Sequence, residues 1–165
     1  MDFKIRPAMI NDINEIYEIE LQCFDESKRF DKDLFYFFLL SRNSEIFLVA
    51  EANEDDSKPI ICGFIVAYLN TKRNYEIITL NVLEHFRRKE VGTKLMLEIE
   101  CIIKQNMKSI VKSNEFFIEL MVYEKNFPAL KLYEKLCYVK QEIIPNYYQN
   151  SKAGVKMIKK LLLKH

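Results

Sequence analysis

The sequence predicts an α/β (α+β) fold in which a mixed, mostly antiparallel central sheet is flanked by about four helices. Two helical segments separate the first two predicted strands, and one further helix follows each of the fourth and fifth strands. Short apolar stretches with strand periodicity lie between these helices, which favours one sheet covered by helices. Residues 76–96, an apolar strand that leads through a basic turn into an amphipathic helix, form the centre of this arrangement.

The composition predicts a single globular domain that spans residues 1–165. Hydrophobic residues make up 49% of the chain and charged residues 30%, a balance that favours a folded core over disorder. The longest apolar run, residues 34–40, is far shorter than the roughly 20 residues that cross a membrane. No signal-peptide pattern precedes it, so we expect no membrane partner and a cytoplasmic location.

Charge and cysteine spacing argue against several other kinds of site. The net charge is +1, from 25 basic and 24 acidic residues, so we expect no nucleic acid partner. The cysteines are widely spaced and form no metal-binding pair, so we expect no metal and interpret them as buried free thiols. A catalytic Cys/His pair is poorly supported, since the histidines are only His85 and His165.

The N-terminal part is expected to form a strand and two helices. Alternating apolar residues predict a strand that ends at Pro7. The residues at helical spacing in the first helix are Ile13, Ile16, Tyr17, Glu20, Leu21 and Phe24. Asn11 and Asp12 provide a plausible cap for it. Residues 31–42 are expected to form a second helix, whose aromatic face is either core, the favoured interpretation, or the wall of a peptide groove.

The remaining chain alternates strands with two more helices. Further strands are expected over residues 46–52, 60–69, 75–82, 115–122, 138–144 and 155–163. An apolar stripe over residues 91–107 predicts the third helix. Asn126 is expected to cap the fourth helix, which has Pro128 in its first turn. Residues 145–154 are expected to form a loop between the last two strands.

The basic turn has the composition of an anion site. Its cations and the start of the next helix follow one another as Arg87, Arg88, Lys89, Glu90, Val91, Gly92 and Thr93. The first backbone N–H groups of a helix have no intrahelical acceptor, and a helix N-terminus carries about half a positive charge. These features fit a pyrophosphate. A solvated basic loop would have a similar composition, and the spacing alone does not decide between the two.

The order of elements and this turn resemble the GNAT acyltransferase superfamily, which binds the pyrophosphate of acetyl-CoA with Arg/Gln-x-x-Gly-x-Gly/Ala. Arg87 and Gly92 match the outer anchors, whereas Glu90 replaces the middle glycine. Three other stretches resemble the branch that acetylates protein N-termini, including bacterial ribosomal-protein alanine acetyltransferases and archaeal and eukaryotic catalytic subunits. They are Ile5-Arg6-Pro7-Ala8, Asn126-x-x-Ala129-x-x-Leu132-Tyr133-Glu134-Lys135-Leu136 and Asn146-Tyr147-Tyr148. The resemblance covers nearly the whole chain.

This resemblance implies an N-acetyltransferase that moves acetyl from acetyl-CoA to a protein or peptide N-terminal α-amine, by direct attack in a ternary complex. An α-amine has a pKa near 7.7 to 8.0 against about 10.4 for lysine, so its deprotonation at neutral pH costs roughly 3 kcal/mol less. An acetyltransferase for a small amine or a lysine side chain is one alternative, and a degenerate, non-catalytic acyl-CoA-binding module is another. An auxiliary subunit or a homodimer stays open.

The resemblance also implies roles for individual side chains. Glu76 is the first candidate for the general base, with a solvated strand-end glutamate as the alternative. Glu119 is the second candidate, because Met121 stands where relatives often carry Glu or His and cannot move a proton. A local bulge could bring Glu119 into use. Tyr133 takes the position of the acid that protonates the CoA sulfur, although a tyrosine at helical spacing is often core.

The remaining site residues are implied in the same way. Backbone amides at the end of the central strand are expected to hold the acetyl carbonyl and the pantetheine arm, from Leu80, Asn81 and Val82. Asn126 and Tyr133 complete the expected cofactor contacts. The peptide entrance is expected to be lined by Phe24, Glu26, Tyr147 and Tyr148. An aromatic pair in such a position also occurs as ordinary hairpin packing.

Overall fold

The computed structural model describes residues 3–24, 29–41, 45–53, 58–110 and 115–163. Their strands are β1 (Phe3–Pro7), β2 (Glu45–Ala52), β3 (Ile60–Leu69), β4 (Tyr75–Val82), β5 (Glu115–Tyr123), β6 (Val139–Tyr148) and β7 (Lys152–Leu162). Their α-helices are α1 (Ile13–Cys23), α2 (Lys32–Leu40), α3 (Val91–Ile110) and α4 (Phe127–Lys135). Short 3-10 turns precede α1 and α3, at Ile10–Asp12 and Glu84–Phe86.

The strands form one mixed sheet in the order β1-β2-β3-β4-β5-β7-β6. Strand β1 pairs with β2, β5 with β7 and β6 with β7 in antiparallel orientation, whereas β4 and β5 are parallel. The predicted fold class, a mostly antiparallel sheet with about four helices, is confirmed.

The chain divides into two compact units. Unit 1 comprises Met1–Ala67 and Thr79–Ile99, and unit 2 comprises Tyr68–Ile78 and Glu100–His165. Strands β3 and β4 and helix α3 therefore contribute residues to both units. A single domain over residues 1–165 stays a prediction.

In unit 1, one aromatic side chain anchors α2 to the core. Phe35 is fully buried and contacts the rings of Phe30 and Phe64 edge-on, with centroids 6.3 Å and 5.5 Å away. Phe37 and Leu40 are exposed, because a helix of nine residues presents only one stripe to the core. The core interpretation is therefore right for Phe35. The other residues of the predicted face are half-buried, namely Leu34, Phe38 and Leu39.

The start of α1 differs from the prediction. Asp12 makes no side-chain capping bond to the helix. Its carboxylate instead accepts from the Met9 backbone N–H at 2.7 Å and from the Arg6 guanidinium at 2.6 Å and 3.0 Å. Arg6 also pairs with Glu51 of β2. The predicted cap was wrong because a 3-10 turn precedes α1 and the carboxylate closes that turn.

In unit 2, β6 and β7 extend into the predicted loop over residues 145–154. Strand β6 continues to Tyr148, and β7 begins at Lys152. Asn146, Asn150 and Ser151 have positive φ angles of 56°, 58° and 57°. Asparagine tolerates this backbone region better than most residues, so the polar run forms an irregular strand end and a tight turn. The loop prediction was wrong for most of its length.

The two helices that contribute residues to unit 2, α3 and α4, agree well with the prediction. The Asn126 side chain accepts from the Ala129 backbone N–H at 3.3 Å and so caps α4 as expected. Helix α3 buries most of its predicted stripe, including Ile103 and Met107 in this unit, whereas Ile102 is half-buried. No helix within the described ranges combines the length and apolarity needed to cross a membrane.

Candidate active site

In unit 1, β4 leads through the basic turn into α3. Phe86 is buried and anchors the turn, with its ring centroid 6.4 Å from that of Phe3. The Lys94 N–H donates to the Glu90 carbonyl at 2.9 Å, which is the first hydrogen bond of the helix. The N–H groups of the three residues before Lys94 therefore have no intrahelical acceptor. They are Val91, Gly92 and Thr93. This is the backbone geometry that anion binding at a helix start requires.

Two non-glycine residues of the turn have a left-handed backbone. Arg88 has φ 60° and Glu90 has φ 65°, and both are exposed. For an L-residue this conformation costs about 1–2 kcal/mol. Glu90 has this conformation where the resemblance calls for glycine, whereas the resemblance gives no reason for it at Arg88. The turn keeps its shape at an energetic cost, with one acidic side chain among three basic ones.

The cations of the turn have different surroundings. Arg87 Nε donates to the Val82 carbonyl at 3.0 Å, and its Nη2 lies 3.7 Å from Cys23 Sγ. Lys89 Nζ lies 5.4 Å from the centre of the Phe86 ring. Arg87 therefore closes the end of β4, whereas Lys89 lies over an aromatic ring at the surface.

A buried carboxylate that was not predicted as a site residue lies against the same strand end. Glu20 of α1 accepts from the Asn81 side-chain amide at 2.7 Å and from the Phe30 backbone N–H at 3.0 Å. Burial raises the pKa of Glu20, while these two donors act in the opposite direction. Its place on the otherwise apolar stripe of α1 was the sequence signal that could have identified it.

In unit 2, the two base candidates lie side by side. The parallel register pairs Glu76 of β4 with Glu119 of β5, so both side chains are on one face of the sheet. The Tyr68 hydroxyl of β3 donates to Glu76 at 3.1 Å. Tyr68 was not predicted. Asn70 and Asn74 close the hairpin turn between β3 and β4. Counting two residues outward from each of them places Tyr68 opposite Glu76, so the hairpin register could have identified Tyr68.

Glu119 is held by three donors. Lys156 Nζ lies 2.6 Å from its carboxylate, and the side-chain amides of Asn70 and Asn74 donate at 3.3 Å and 3.2 Å. Burial alone would raise the pKa of Glu119, but Lys156 and the two amides hold it below its ordinary value. The pairing of β5 with β7 runs without a register shift, so it contains no bulge that could bring Glu119 into use.

Tyr133 of α4 is buried in unit 2. Its ring packs edge-on against Tyr138, with centroids 5.9 Å apart. Burial, followed by the charge that Tyr148 would carry, raises the pKa of Tyr133. The phenol is therefore protonated and able to donate at physiological pH. This suits the predicted acid, and the ring packing equally suits the core alternative.

The two entrance tyrosines lie at the end of β6 rather than in a loop. The ring centroids of Tyr147 and Tyr148 are 4.9 Å apart, and Tyr148 packs edge-on against Tyr123 at 6.3 Å. Tyr147 is 47% exposed. Burial, followed by the charge of Glu76, raises its pKa, so this ring lies within electrostatic range of the Glu76 carboxylate.

The remaining predicted residues divide between the units. Leu80, Asn81, Val82 and the whole basic turn belong to unit 1, whereas Asn126 belongs to unit 2 together with the tyrosines and both base candidates. Phe24 is half-buried at the end of α1 in unit 1. Glu26 lies outside the described residues. The entrance formed by these residues stays a prediction.

Comparison with known proteins identifies similar chains. Residues 12–137 match the family model described as the acetyltransferase (GNAT) family. The N-alpha-acetyltransferase of Saccharolobus solfataricus is 28% identical over 97% of this chain and 94% of its own. The N-terminal acetyltransferase B complex catalytic subunit NAA20 of Arabidopsis thaliana is 27% identical over 95% and 84%. The solved structure of Ard1 from Thermoplasma volcanium superposes with a TM-score of 0.81 at 23% identity and covers 98% of this chain and 99% of its own.

Proposed function

Because the chain belongs to the acetyltransferase (GNAT) family, we propose that it transfers acetyl from acetyl-CoA to the α-amine of a protein or peptide N-terminus. The observation that carries this proposal is similarity over almost the full length to a protein named N-alpha-acetyltransferase. The reaction forms a carbon–nitrogen bond and breaks the carbon–sulfur bond of the thioester. It therefore needs a group that accepts a proton from the amine and a group that donates one to the sulfur.

The basic turn of unit 1 is suited to the pyrophosphate of acetyl-CoA. Free N–H groups at the start of α3 and exposed cations favour an anion there, whereas the Glu90 carboxylate opposes it. Three cations outnumber the one carboxylate, so we expect binding that is weakened rather than lost. The cofactor supplies a reactive acetyl thioester with a thiolate leaving group. The amides of Leu80, Asn81 and Val82 would orient its carbonyl.

Glu76 is the proposed general base. It is half-buried, and its carboxylate accepts one hydrogen bond from the neutral Tyr68 hydroxyl. Glu119 beside it is paired with Lys156, which stabilises the charged form and makes that carboxylate a weaker base. An α-amine has a pKa near 7.7 to 8.0, so a modest base acting directly or through one water is sufficient. Glu119 stays the second candidate.

Tyr133 is the proposed general acid. Its phenol is protonated at physiological pH and would donate its proton to the departing sulfur while Glu76 takes one from the amine. Tyr147 and Tyr148 would contact the peptide near the reacting amine, since Tyr147 is partly exposed and lies within electrostatic range of Glu76.

A non-catalytic acyl-CoA-binding module is the second candidate function. Glu90 with its left-handed backbone, Met121 in place of a proton-moving residue and the ion pair of Glu119 favour it. Such a module would bind acetyl-CoA and release no CoA with any amine. Acetylation of lysine side chains or small amines is the rival within the enzyme class.

A thiol-release assay with matched peptides tests these candidates. One peptide has a free N-terminus and no lysine, the second has the same sequence with a blocked N-terminus, and the third has a blocked N-terminus and one lysine. A small amine completes the set. We expect CoA release with the first peptide alone, together with a calorimetric signal for acetyl-CoA. Absence of binding up to millimolar acetyl-CoA would contradict the proposal, and binding without release would favour the module.

Location and partners are part of the proposal. We propose that the protein acts in the cytoplasm, where nascent N-termini and acetyl-CoA are both available.

NAA20 is named as the catalytic subunit of a complex, so an auxiliary subunit is a reasonable partner to look for in this protein too. Sedimentation of the purified chain with and without a substrate peptide would separate a monomer from a homodimer.

A further inference from the structure

Glu20 is a charged residue inside unit 1 that the proposed mechanism does not use. Its exposure is 0%. One carboxylate oxygen accepts from the Phe30 backbone N–H at 3.0 Å, and the other accepts from the Asn81 side-chain amide at 2.7 Å. Burying a carboxylate is costly even when donors satisfy it, and an apolar side chain would cover the same core surface. Its contacts therefore point to a role beyond filling the core.

The contact with Glu20 extends to strand β4 through Asn81. The Asn81 amide also donates to Thr79 Oγ1 at 3.2 Å, so it joins the helix to two residues on one face of the strand. A Cβ atom on Gly63 of β3 would lie 2.7 Å from the Asn81 carbonyl oxygen. Backbone and side chain of Asn81 are thus both closely held, by β3 and by α1.

The next residue along β4 is held from the same helix. The Val82 carbonyl lies 3.7 Å from Cys23 Sγ and accepts from Arg87 Nε at 3.0 Å. Cys23 is three residues after Glu20, so both side chains lie on one side of α1. Helix α1 therefore contacts two consecutive residues at the end of β4, one through its side chain and one through its carbonyl.

We propose that Glu20 is a positioning residue for acetyl transfer, which holds the backbone of Leu80, Asn81 and Val82 where it can bind the acetyl carbonyl and the pantetheine arm. The inference rests on the proposed function, since it concerns the same ligand. Side chains alternate along a strand, so the Asn81 side chain points to the face opposite those of Leu80 and Val82. Holding that side chain orients the backbone without occupying the ligand's face.

Two substitutions at one position test the role. Glu20→Met keeps the length of the side chain but removes the acceptors of the Phe30 N–H and the Asn81 amide. Glu20→Gln keeps an oxygen that accepts from the Phe30 N–H. If the Asn81 amide turns by half a turn, its oxygen can accept from the glutamine amide and from the Thr79 hydroxyl. We expect Glu20→Met to raise the Kd for acetyl-CoA about tenfold, and Glu20→Gln to remain within about threefold of wild type.

A second readout separates positioning from loss of stability. The segment contacts the acetyl group, so Glu20→Met should weaken acetyl-CoA more than CoA, and the ratio of the two Kd values should change. The control is Asp12→Leu, which removes another carboxylate of unit 1 that accepts a backbone N–H. It should lower the Tm and leave that ratio unchanged. Thr79→Val removes only the 3.2 Å contact and should act like Glu20→Met but more weakly.

The titrations are read without turnover, beside the Tm of each variant. The inference would be overturned if Glu20→Met lowers the Tm but leaves the Kd values for acetyl-CoA and CoA as in wild type. If Glu20→Met does not fold, Thr79→Val and Glu20→Gln decide, and an unchanged ratio for Thr79→Val would overturn it. Wild-type protein that binds no acetyl-CoA would contradict the proposed function and the inference together, whereas wild-type binding with unaltered variants contradicts the inference alone.

Discussion

The basic turn of unit 1 and the carboxylate–tyrosine cluster of unit 2 offer two different kinds of chemistry. The turn, residues 87–93, presents backbone N–H groups and cations that follow one another in the chain. The cluster consists of Glu76, Glu119, Tyr68 and Tyr147, which come from four strands and can move or hold protons. Binding of an anion needs only consecutive residues, whereas proton transfer needs side chains that the fold must bring together. We therefore expect substitutions in the basic turn to change cofactor affinity and those of the proposed acid and bases in unit 2 to change kcat.

Two carboxylates, one buried and one half-buried, make the same contrast. Glu20 in unit 1 accepts hydrogen bonds from neutral groups, and burial raises its pKa. Glu119 in unit 2 is also desolvated, but its ion pair with Lys156 lowers its pKa. The deeper burial of Glu20 and the ion pair of Glu119 together account for the opposite directions of the two shifts. Glu20 is suited to holding a strand, and Glu119 to remaining charged.

The largest effect is expected from Tyr133→Phe. Removing the phenol deprives the leaving sulfur of its proton, so kcat should fall about 1,000-fold while the Kd for acetyl-CoA stays within about twofold. Tyr138→Phe is the matched control, because it removes the hydroxyl from the neighbouring ring and should leave kcat nearly unchanged. Steady-state kinetics with calorimetry measure both quantities. A wild-type kcat for Tyr133→Phe would remove this residue from the mechanism.

Glu76→Gln is expected to act next most strongly. The amide cannot accept the proton of the amine, so kcat should fall about 100-fold at neutral pH and recover partly at higher pH, where the α-amine is already deprotonated. Glu119→Gln serves as control and should cost less than about tenfold. Rate measurements from pH 6 to pH 9 provide the test. A larger loss for Glu119→Gln than for Glu76→Gln would exchange the two roles.

A smaller change is expected from Glu90→Gly in the basic turn. Glycine relieves the left-handed strain and should raise the free energy of unfolding by up to about 1 kcal/mol. Removing the carboxylate should also lower the Kd for acetyl-CoA about threefold. Arg88→Gly is the matched control, because it relieves similar strain but deletes a cation. That variant should gain stability and lose affinity. Weaker binding by Glu90→Gly would show that the carboxylate contributes to the cofactor site.

The smallest effect concerns stability and pH. The pKa of Glu119 in the folded protein is below its ordinary value of 4.5. Its contribution to the free energy of unfolding is therefore present above that pH and is lost as the pH falls through the folded pKa. Glu119→Gln should therefore cost about 1–2 kcal/mol at pH 7 and almost nothing at strongly acidic pH. The contribution of Glu20 to stability changes with pH in the opposite direction, since its raised pKa makes that contribution largest at low pH. Urea unfolding at both pH values measures this difference, and an equal cost of Glu119→Gln at both would contradict it.

The parts of the molecule that depend on neighbouring residues were predictable. The strand leading to the basic turn, the strain at Glu90 and the Asn126 cap all follow from short sequence patterns, and the predicted fold and enzyme class are confirmed. Tyr68 was within reach too, because a hairpin register fixes which residues face each other.

The parts that depend on distant pairing were not predictable. Lys156 meets Glu119 only through the antiparallel pairing of β5 and β7, and Glu20 meets a residue 61 positions away. Tyr147 and Tyr148 were placed in a loop because asparagine and serine are typical of turns. Here those residues shape a strand irregularity instead. A single sequence contains no signal for such contacts except an unexpected charge on an apolar stripe.

Mass spectrometry of one reaction tests the central claim most directly. Purified protein and acetyl-CoA are incubated with an equimolar mixture of a lysine-free peptide with a free N-terminus and a lysine-containing peptide with a blocked one. The protein described here should add a single acetyl group to the α-amine of the first peptide and leave the second unmodified. Acetylation of the lysine peptide alone, or of neither peptide by protein that binds acetyl-CoA, would contradict its assignment as an N-terminal acetyltransferase.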